Sequence, residues 1–176
     1  MGRRKHPKRT PKPQWQIEVD RDMHQYLVWE RVIRRQENLI ATHRLSGLRT
    51  TPVYELREGS PGKQDNPIEK ILIDIDFAER KIQAGKQYRA DLEEIVREVA
   101  AGDTDKETFI RRYWWTSLYC PIRARISYVL EALPFLAHRE HGTGRITGPT
   151  RNFYVWRDEI YDRLGEMLGR KEVERK

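Results

Sequence analysis

Apolar side chains recur at three- and four-residue steps along much of this chain, which is the spacing of a helix with one buried face. The clearest stretch runs from Gly148 to Gly169. Thr150 or Asn152 is placed to cap its first turn, and Gly169 is placed to end it. We therefore predict a helix over residues 151–168, and its core stripe is formed by Phe153, Trp156, Ile160, Leu164 and Met167 or Leu168.

The same spacing predicts further helices at residues 19–45, 66–101, 105–115 and 121–133. In the first of them, Asp20 or Asp22 is expected at the positive end of the helix dipole. Asn66-Pro67 opens the second with proline in its first turn, and Gly85 either interrupts one long helix or separates two helices of a hairpin. The fold class we expect is all-α, with long N-terminal and central helices and a C-terminal trihelical, helix-turn-helix-like domain.

Segments without periodicity divide the chain. Residues 1–14 are basic, contain three prolines and are predicted to be a disordered arm. Residues 15–101 form a helical scaffold or dimerisation region, in which Gly, Pro, Ser and Thr make 46–67 a linker. The helix-turn-helix-like domain spans 103–170 and contains a loop at 135–149 with at most one helical turn. A short tail, residues 171–176, follows.

The distribution of charge favours a nucleic-acid partner. The chain carries a net charge of +7, and residues 109–157 contain eight basic residues against two acids. All eight are arginine, whose planar fork binds phosphate or the edge of guanine through two hydrogen bonds. The alternative is a surface that faces an acidic protein partner. The basic arm, with Arg3, Arg4 and Lys5, favours DNA because such arms add salt-dependent contacts to phosphates.

Catalysis and metal binding find little support in the pattern. Asp74 and Asp76 lie two apart on a helix and point to different faces, and His138 with His141 lacks companion ligands. Cys120 lies among apolar residues, as buried thiols usually do, and cannot form an internal disulfide because it is the single cysteine. We expect no enzyme activity and no cofactor. Because no apolar run approaches the length of a membrane span, we expect an intracellular protein with no membrane partner.

Two blocks of the chain resemble a known family. FIRRYWW, followed after a gap by FYVWRDEIYDRLGEMLG, resembles the C-terminal part of the RinA/ArpU-type phage transcriptional regulators, and DNPIEKILIDIDFAERKI is similar to their central segment. The similarity covers residues 65–169. The connection between Trp114 and Tyr154 is longer than in the family and carries an inserted HREHGTGRITGP loop. The matching positions are Tyr113, Trp114, Tyr154, Trp156, Arg157, Ile160, Leu164, Leu168 and Gly169.

The resemblance implies a helix-turn-helix similar to region 4 of bacterial sigma factors, and a regulator that activates late genes in the host bacterial cytoplasm at the nucleoid. Its partners would be double-stranded DNA and, through an activator contact, RNA polymerase. A homodimer formed through residues 66–101 stays open. Two other functions also stay open. One is a small terminase that packages DNA as a ring, and the other is a helical adaptor protein with an acidic partner.

The predicted DNA contacts fall into three groups. Base contacts or nearby phosphate contacts are expected from the leading end of the last helix, because a helix that enters the major groove presents its N-terminal residues to base edges. These residues are Arg151, Asn152, Tyr154 and Arg157. The backbone contacts are assigned to Arg111, Arg112, Arg123, Arg125 and Arg145, and the basic arm adds sequence-independent affinity.

Overall fold

The structure, a computed structural model, describes residues 12–49, 67–117 and 120–171. This part of the chain is mostly helical, with one small two-stranded sheet. The helices are α1 (Gln14–Arg49), α2 (Pro67–Ala100), α3 (Thr104–Trp114), α4 (Ile122–Ala132) and α5 (Arg151–Met167), and the strands are β1 (Ala137–Arg139) and β2 (Ile146–Pro149). No helix in these three ranges is long and apolar enough to cross a membrane.

Several predicted boundaries are confirmed. α3, α4 and α5 each begin and end within about one residue of the prediction. α2 begins at Pro67, as expected, and is one continuous helix through Gly85. Asp103 caps α3, because its carboxylate accepts hydrogen bonds from the backbone N–H groups of Asp105 and Lys106.

Two predictions require correction. α1 spans Gln14–Arg49 instead of residues 19–45, so Asp20 and Asp22 lie inside the helix and not at its positive end, and residues 46–49 belong to the helix and not to the linker. Residues 12–14 are therefore not part of a free arm. The predicted loop at 135–149 does contain one short 3-10 turn, Pro134–Leu136, but most of it is an antiparallel hairpin in which Ala137 pairs with Pro149. The remainder of the arm, residues 50–66 of the linker and 172–176 of the tail lie outside the described residues.

The described residues form two units. Unit 1 comprises residues 12–25, 93–117 and 120–171, and unit 2 comprises the intervening parts of α1 and α2 up to residue 92. This division differs from the predicted boundary at residues 101–103. The reason is that α1 and α2 each bury part of their length in unit 1, where Val19, Met23, Val96 and Val99 are fully buried.

Unit 2 is an antiparallel helix pair. Tyr26 of α1 accepts a hydrogen bond from Arg89 of α2 at 2.8 Å, whereas further along α1 the His43 ring lies 4.0 Å from the Asp74 carboxylate. The seam between the helices is a small cluster of Ile33, Ile40, Ala78 and Ile82, with Ile75 beside it.

Gly85 lies in this seam because the two helices approach too closely for a side chain. A Cβ atom placed there would lie 2.7 Å from the Trp29 ring and 3.1 Å from Ile33. Its role is therefore close packing between helices, and α2 needs no break at this position.

Unit 1 is built around aromatic side chains. The Phe109 and Phe153 rings lie 5.1 Å apart between α3 and α5, and Trp114 and Tyr161 meet edge to face at the same distance. All four rings are almost completely buried. Aromatic pairs in this geometry add stability beyond the contribution of their buried area, so these four rings hold α5 against α3.

Asp20 of α1 joins the elements of unit 1 through hydrogen bonds. Its Oδ1 accepts from Trp114 Nε1 at 2.8 Å and from the Tyr161 hydroxyl at 2.6 Å. Its Oδ2 accepts from Lys12 Nζ at 3.0 Å, and the same ammonium lies 3.2 Å from the Tyr161 oxygen. The carboxylate therefore satisfies two donors whose rings are inaccessible to water, which is the requirement for burying a polar group.

Burial shifts the pKa values of three groups near Asp20. Burial raises the pKa of the Tyr161 hydroxyl and of the Tyr113 hydroxyl above the ordinary value, so both remain protonated donors. Burial lowers the pKa of His24, although a hydrogen bond from its Nδ1 to the Asp20 carbonyl acts in the opposite direction. His24 Nε2 is buried and has no partner among the described residues. The lowered pKa favours the neutral form of His24.

Candidate nucleic-acid interface

The leading end of α5 is exposed and carries a mixed basic and apolar surface. Arg151 and Asn152 are exposed in its first turn, and Tyr154 and Val155 are 42% and 53% exposed. Thr150 occupies the N-cap position with an extended backbone, as predicted, but its side chain makes no cap hydrogen bond. Because Asn152 is inside the helix, neither side chain caps the first turn.

The core stripe holds this end of α5 in place. Phe153 and Ile160 are fully buried, as predicted, and Trp156 is half-buried between the Phe109 and Phe135 rings, with centroid distances of 6.4 and 5.6 Å. The backbone N–H of Thr150 donates to the Leu136 carbonyl at 2.8 Å, which fixes the entry of the helix. Arg151 and Asn152 are therefore presented on a rigid element.

Arg157, predicted to contact DNA, is engaged within the protein. Its Nη2 lies 2.6 Å and its Nε 2.9 Å from the Asp158 carboxylate. Its guanidinium also lies over the Tyr154 ring, 5.1 Å from the centroid. A base contact by Arg157 would have to displace this ion pair, so Arg157 is a weaker candidate than Arg151.

The other arginines of residues 109–157 divide into two classes, and all of them except Arg139 were predicted DNA contacts. Arg111 forms an ion pair with Glu107 at 2.8 Å, and Arg125 Nε donates to the Cys120 carbonyl at 3.1 Å. A second class is exposed, and its guanidinium groups have no hydrogen bond or ion pair within residues 12–49, 67–117 and 120–171. This class, which we call the unpaired arginines, consists of Arg112, Arg123, Arg139, Arg145 and Arg151.

The hairpin brings two unpaired arginines close to α5 along the chain. Arg139 ends β1 and is paired in register with Ile146, the residue after Arg145. The turn between the strands uses Gly142 and Gly144 at positive φ, a backbone conformation that favours glycine. β2 then leads through Thr150 directly into Arg151, so three of the five unpaired arginines lie on one continuous structural element.

Most of the charged side chains on the rest of α5 are acidic. Asp158, Asp162 and Glu166 lie at four-residue steps on one side of the helix, beyond its first two turns. Asp162 forms an ion pair with Lys171 at 2.9 Å, and Asp158 binds Arg157. Because these two carboxylates already hold basic side chains, this side offers a phosphate backbone less positive charge than the N-terminal end of α5 does.

Sequence reasoning missed the residues that position this surface. Asp20, Lys12 and Tyr161 fix α5 to α1, yet the apolar stripe did not include Tyr161. Tyr161 precedes Leu164 by three residues, which is a helical step, and this spacing could have revealed it. Arg3, Arg4 and Lys5 lie outside the described residues.

The residues considered for metal binding do not come together. Asp74 faces His43, and Asp76 forms an ion pair with Arg80 at 2.8 Å. Across the described ranges, no group of three or more His, Cys, Asp and Glu side chains could hold a metal ion. A comparison with protein families, curated proteins and solved structures finds no match to this chain. The family resemblance therefore stays a hypothesis.

Proposed function

We propose that this protein binds double-stranded DNA, with the N-terminal end of α5 in the major groove and the hairpin against the phosphate backbone. The observation that carries the proposal is the set of unpaired arginines. Five exposed guanidinium groups have no acidic partner among the described residues, and exposed positive charge of this kind attracts a polyanion. Three of them lie on the hairpin and the first turn of α5.

The first turns of α5 carry the side chains that distinguish base pairs. Arginine can bind guanine through two hydrogen bonds, asparagine can do the same with adenine, and an exposed valine can contact the thymine methyl group. Arg151, Asn152 and Val155 supply these three types at the end of the helix that faces outward. The acidic positions further along α5 favour an end-on approach.

The regulatory role rests on the resemblance to phage late-gene activators. In this proposal the protein is a sequence-specific transcription regulator whose trihelical domain comprises α3, α4 and α5. RNA polymerase is the second partner in this proposal, because the resemblance is to activators. Arg112 and Arg123 would add phosphate contacts, because both are exposed and unpaired.

The test compares two arginines of the same helix. A random-sequence duplex library is selected with the full chain at about 150 mM salt, where purely phosphate-driven binding is weakened. We expect Arg151→Ala to reduce affinity for the selected duplex by about 1–3 kcal/mol and to relax the preference at one base position. Arg157→Ala should change the affinity by less than about 1 kcal/mol, because its guanidinium is already paired with Asp158.

The opposite order of effects, with Arg157→Ala harmful and Arg151→Ala neutral, would show that the second turn of α5 reads DNA and that the paired state of Arg157 does not exclude it. If no duplex is selected at all, DNA binding itself is wrong.

A protein partner with an acidic surface is the second candidate. It is favoured by the exposed Phe135 and Tyr154, which are 56% and 42% exposed close to the same arginines. Aromatic and arginine side chains are the residue types that dominate protein interfaces. This candidate predicts that the purified protein shows no affinity for duplex DNA at moderate salt.

A further inference from the structure

Phe135 is an exposed aromatic side chain on a turn that is held at both sides. It is 56% exposed, whereas Leu133 and Leu136, which lie on either side of it in the sequence, are almost completely buried. The backbone N–H of Leu136 donates to the Leu133 carbonyl at 3.0 Å, and the Leu136 carbonyl accepts from the backbone N–H of Thr150 at the start of α5. The turn is therefore fixed to the core and to α5, while much of the Phe135 ring is accessible.

The Phe135 ring lies beside the first turns of α5. It meets the Trp156 ring edge to face, with centroids 5.6 Å apart. Trp156 follows Asn152 by one helical turn, and the side chains of a helix lean towards its N-terminus, so the Trp156 ring leans towards the turn that contains Asn152. Phe135 therefore flanks the exposed end of α5 on the side of Asn152, about 100° around the helix from Arg151.

The charges on this side of α5 are compatible with a polyanion. The first turn of the helix contains no acidic residue. Glu159 follows Asn152 by two turns on the same side, and its carboxylate forms an ion pair with Lys106 Nζ at 2.8 Å. The same ammonium lies 5.8 Å from the centroid of the Trp156 ring. The surroundings of the Phe135 and Trp156 rings therefore combine accessible apolar surface with an acid that is already paired.

We propose that Phe135 recognises the methyl group of a thymine in the major groove, next to the base pairs that α5 contacts. The inference rests on the proposed binding of duplex DNA and adds a specificity-determining residue outside α5. When the N-terminal end of a helix enters the groove, the side chains that surround its first turn face the base edges and the groove walls. The thymine methyl is the apolar group that base pairs present there, and phenylalanine is one of the side chains that contact it.

A methyl contact by Phe135 differs from the contact assigned to Val155. Val155 is 53% exposed on the outward side of α5, whereas Phe135 lies beside the helix. The two apolar side chains therefore meet different base pairs, and each should select thymine at its own position. Burial of one methyl group corresponds to about a fourfold change in affinity, which is large enough to measure.

The test removes single methyl groups from the DNA. In the duplex selected with the full chain, each thymine is replaced in turn by deoxyuridine, which lacks the C5 methyl group and keeps the base-pairing groups. Fluorescence anisotropy measures the dissociation constant. We expect the wild type to bind about fourfold more weakly when the thymine that Phe135 contacts is replaced. Phe135→Ala should bind the thymine duplex more weakly than the wild type, and this replacement should then leave its affinity unchanged, because the methyl group has lost its partner.

Three variants serve as controls. Phe135→Leu keeps an apolar side chain, so it should retain most of the sensitivity to the methyl group. Val155→Ala should lose the sensitivity at a different thymine. Met167 lies at the other end of α5 and is 37% exposed, so Met167→Ala should retain the sensitivity at every thymine. Far-UV circular dichroism checks that each variant remains helical.

The proposal is wrong if the selected site contains no thymine, or if no replacement by deoxyuridine weakens binding of the wild type. If Arg151→Ala still weakens binding in that case, DNA recognition by α5 stands without the Phe135 contact. Equal loss of affinity of Phe135→Ala for the thymine and deoxyuridine duplexes would also overturn the proposal, because the ring would then only support Trp156. If no duplex is selected, the proposed function and this contact fail together.

Discussion

Replacing Asp20 by alanine tests the hydrogen-bond network at the centre of unit 1. The substitution removes the acceptor of Trp114 Nε1–H and of the Tyr161 hydroxyl, two donors on rings that are at most 1% exposed. A buried donor left without a partner costs about 1–3 kcal/mol. Asp20 itself keeps 23% of its side-chain exposure, so water can replace part of the lost bonding. We therefore expect a loss of about 2–4 kcal/mol in the free energy of unfolding.

The assay is urea denaturation followed by tryptophan fluorescence and circular dichroism, with Glu30→Ala as the control. Glu30 is an acid of the same helix whose ion pair with Arg34 is exposed, so its removal should cost no more than about 0.5 kcal/mol. Asp20→Asn keeps an oxygen acceptor, and its loss should fall between the two. If Asp20→Ala is no more harmful than Glu30→Ala, Asp20 does not stabilise unit 1 through these bonds.

Two further substitutions test burial and close packing. Because burial lowers the pKa of His24, the unfolded state binds the proton more readily than the folded state, so the free energy of unfolding should fall as the pH drops below about 6.5. His24→Gln should weaken this pH dependence, measured as the urea midpoint between pH 7 and 5. An unchanged dependence would assign the effect to other groups. Gly85→Ala should destabilise unit 2 by about 1–3 kcal/mol in thermal unfolding, because the new methyl group would lie 2.7 Å from the Trp29 ring. A gain in stability would mean that α1 and α2 can move apart at this position with little loss of packing.

The helices could be predicted from the sequence where the apolar spacing and the capping residue agree. α3 is the clearest case, since Asp103 supplies the cap and Phe109 with Tyr113 supplies the buried face. The start of α1 could not be predicted, because Trp15 and Val19 acquire their role only through packing in unit 1, where Trp15 meets the Tyr161 ring at 6.5 Å. Tertiary contacts of this kind leave no local signal.

The hairpin and the state of the arginines show a second limit. β1 and β2 are only three and four residues long, too short to show the alternation of apolar and polar residues that marks a strand. The glycines between them indicate a turn but not the strands that it joins. The Arg111 ion pair with Glu107 follows from their four-residue spacing. The bond from Arg125 to the Cys120 carbonyl depends on how the chain turns before α4, so the sequence could not separate paired from unpaired arginines.

The contacts of Asp20 also constrain the order in which the chain can fold during synthesis. Asp20 and Tyr161 are separated by 141 positions, and Asp20 and Trp114 by 94. The described residues of unit 2, 26–49 and 67–92, precede most of unit 1 in the sequence, so this helix pair can assemble before the C-terminal part of the chain has been synthesised. Unit 1 is completed only when α5 has been made, because α5 supplies Phe153 and Tyr161 of the aromatic core. Ribosome-bound chains that end before residue 161 would therefore leave apolar side chains in the first turns of α1 incompletely buried, and chaperones can bind such exposed apolar surface.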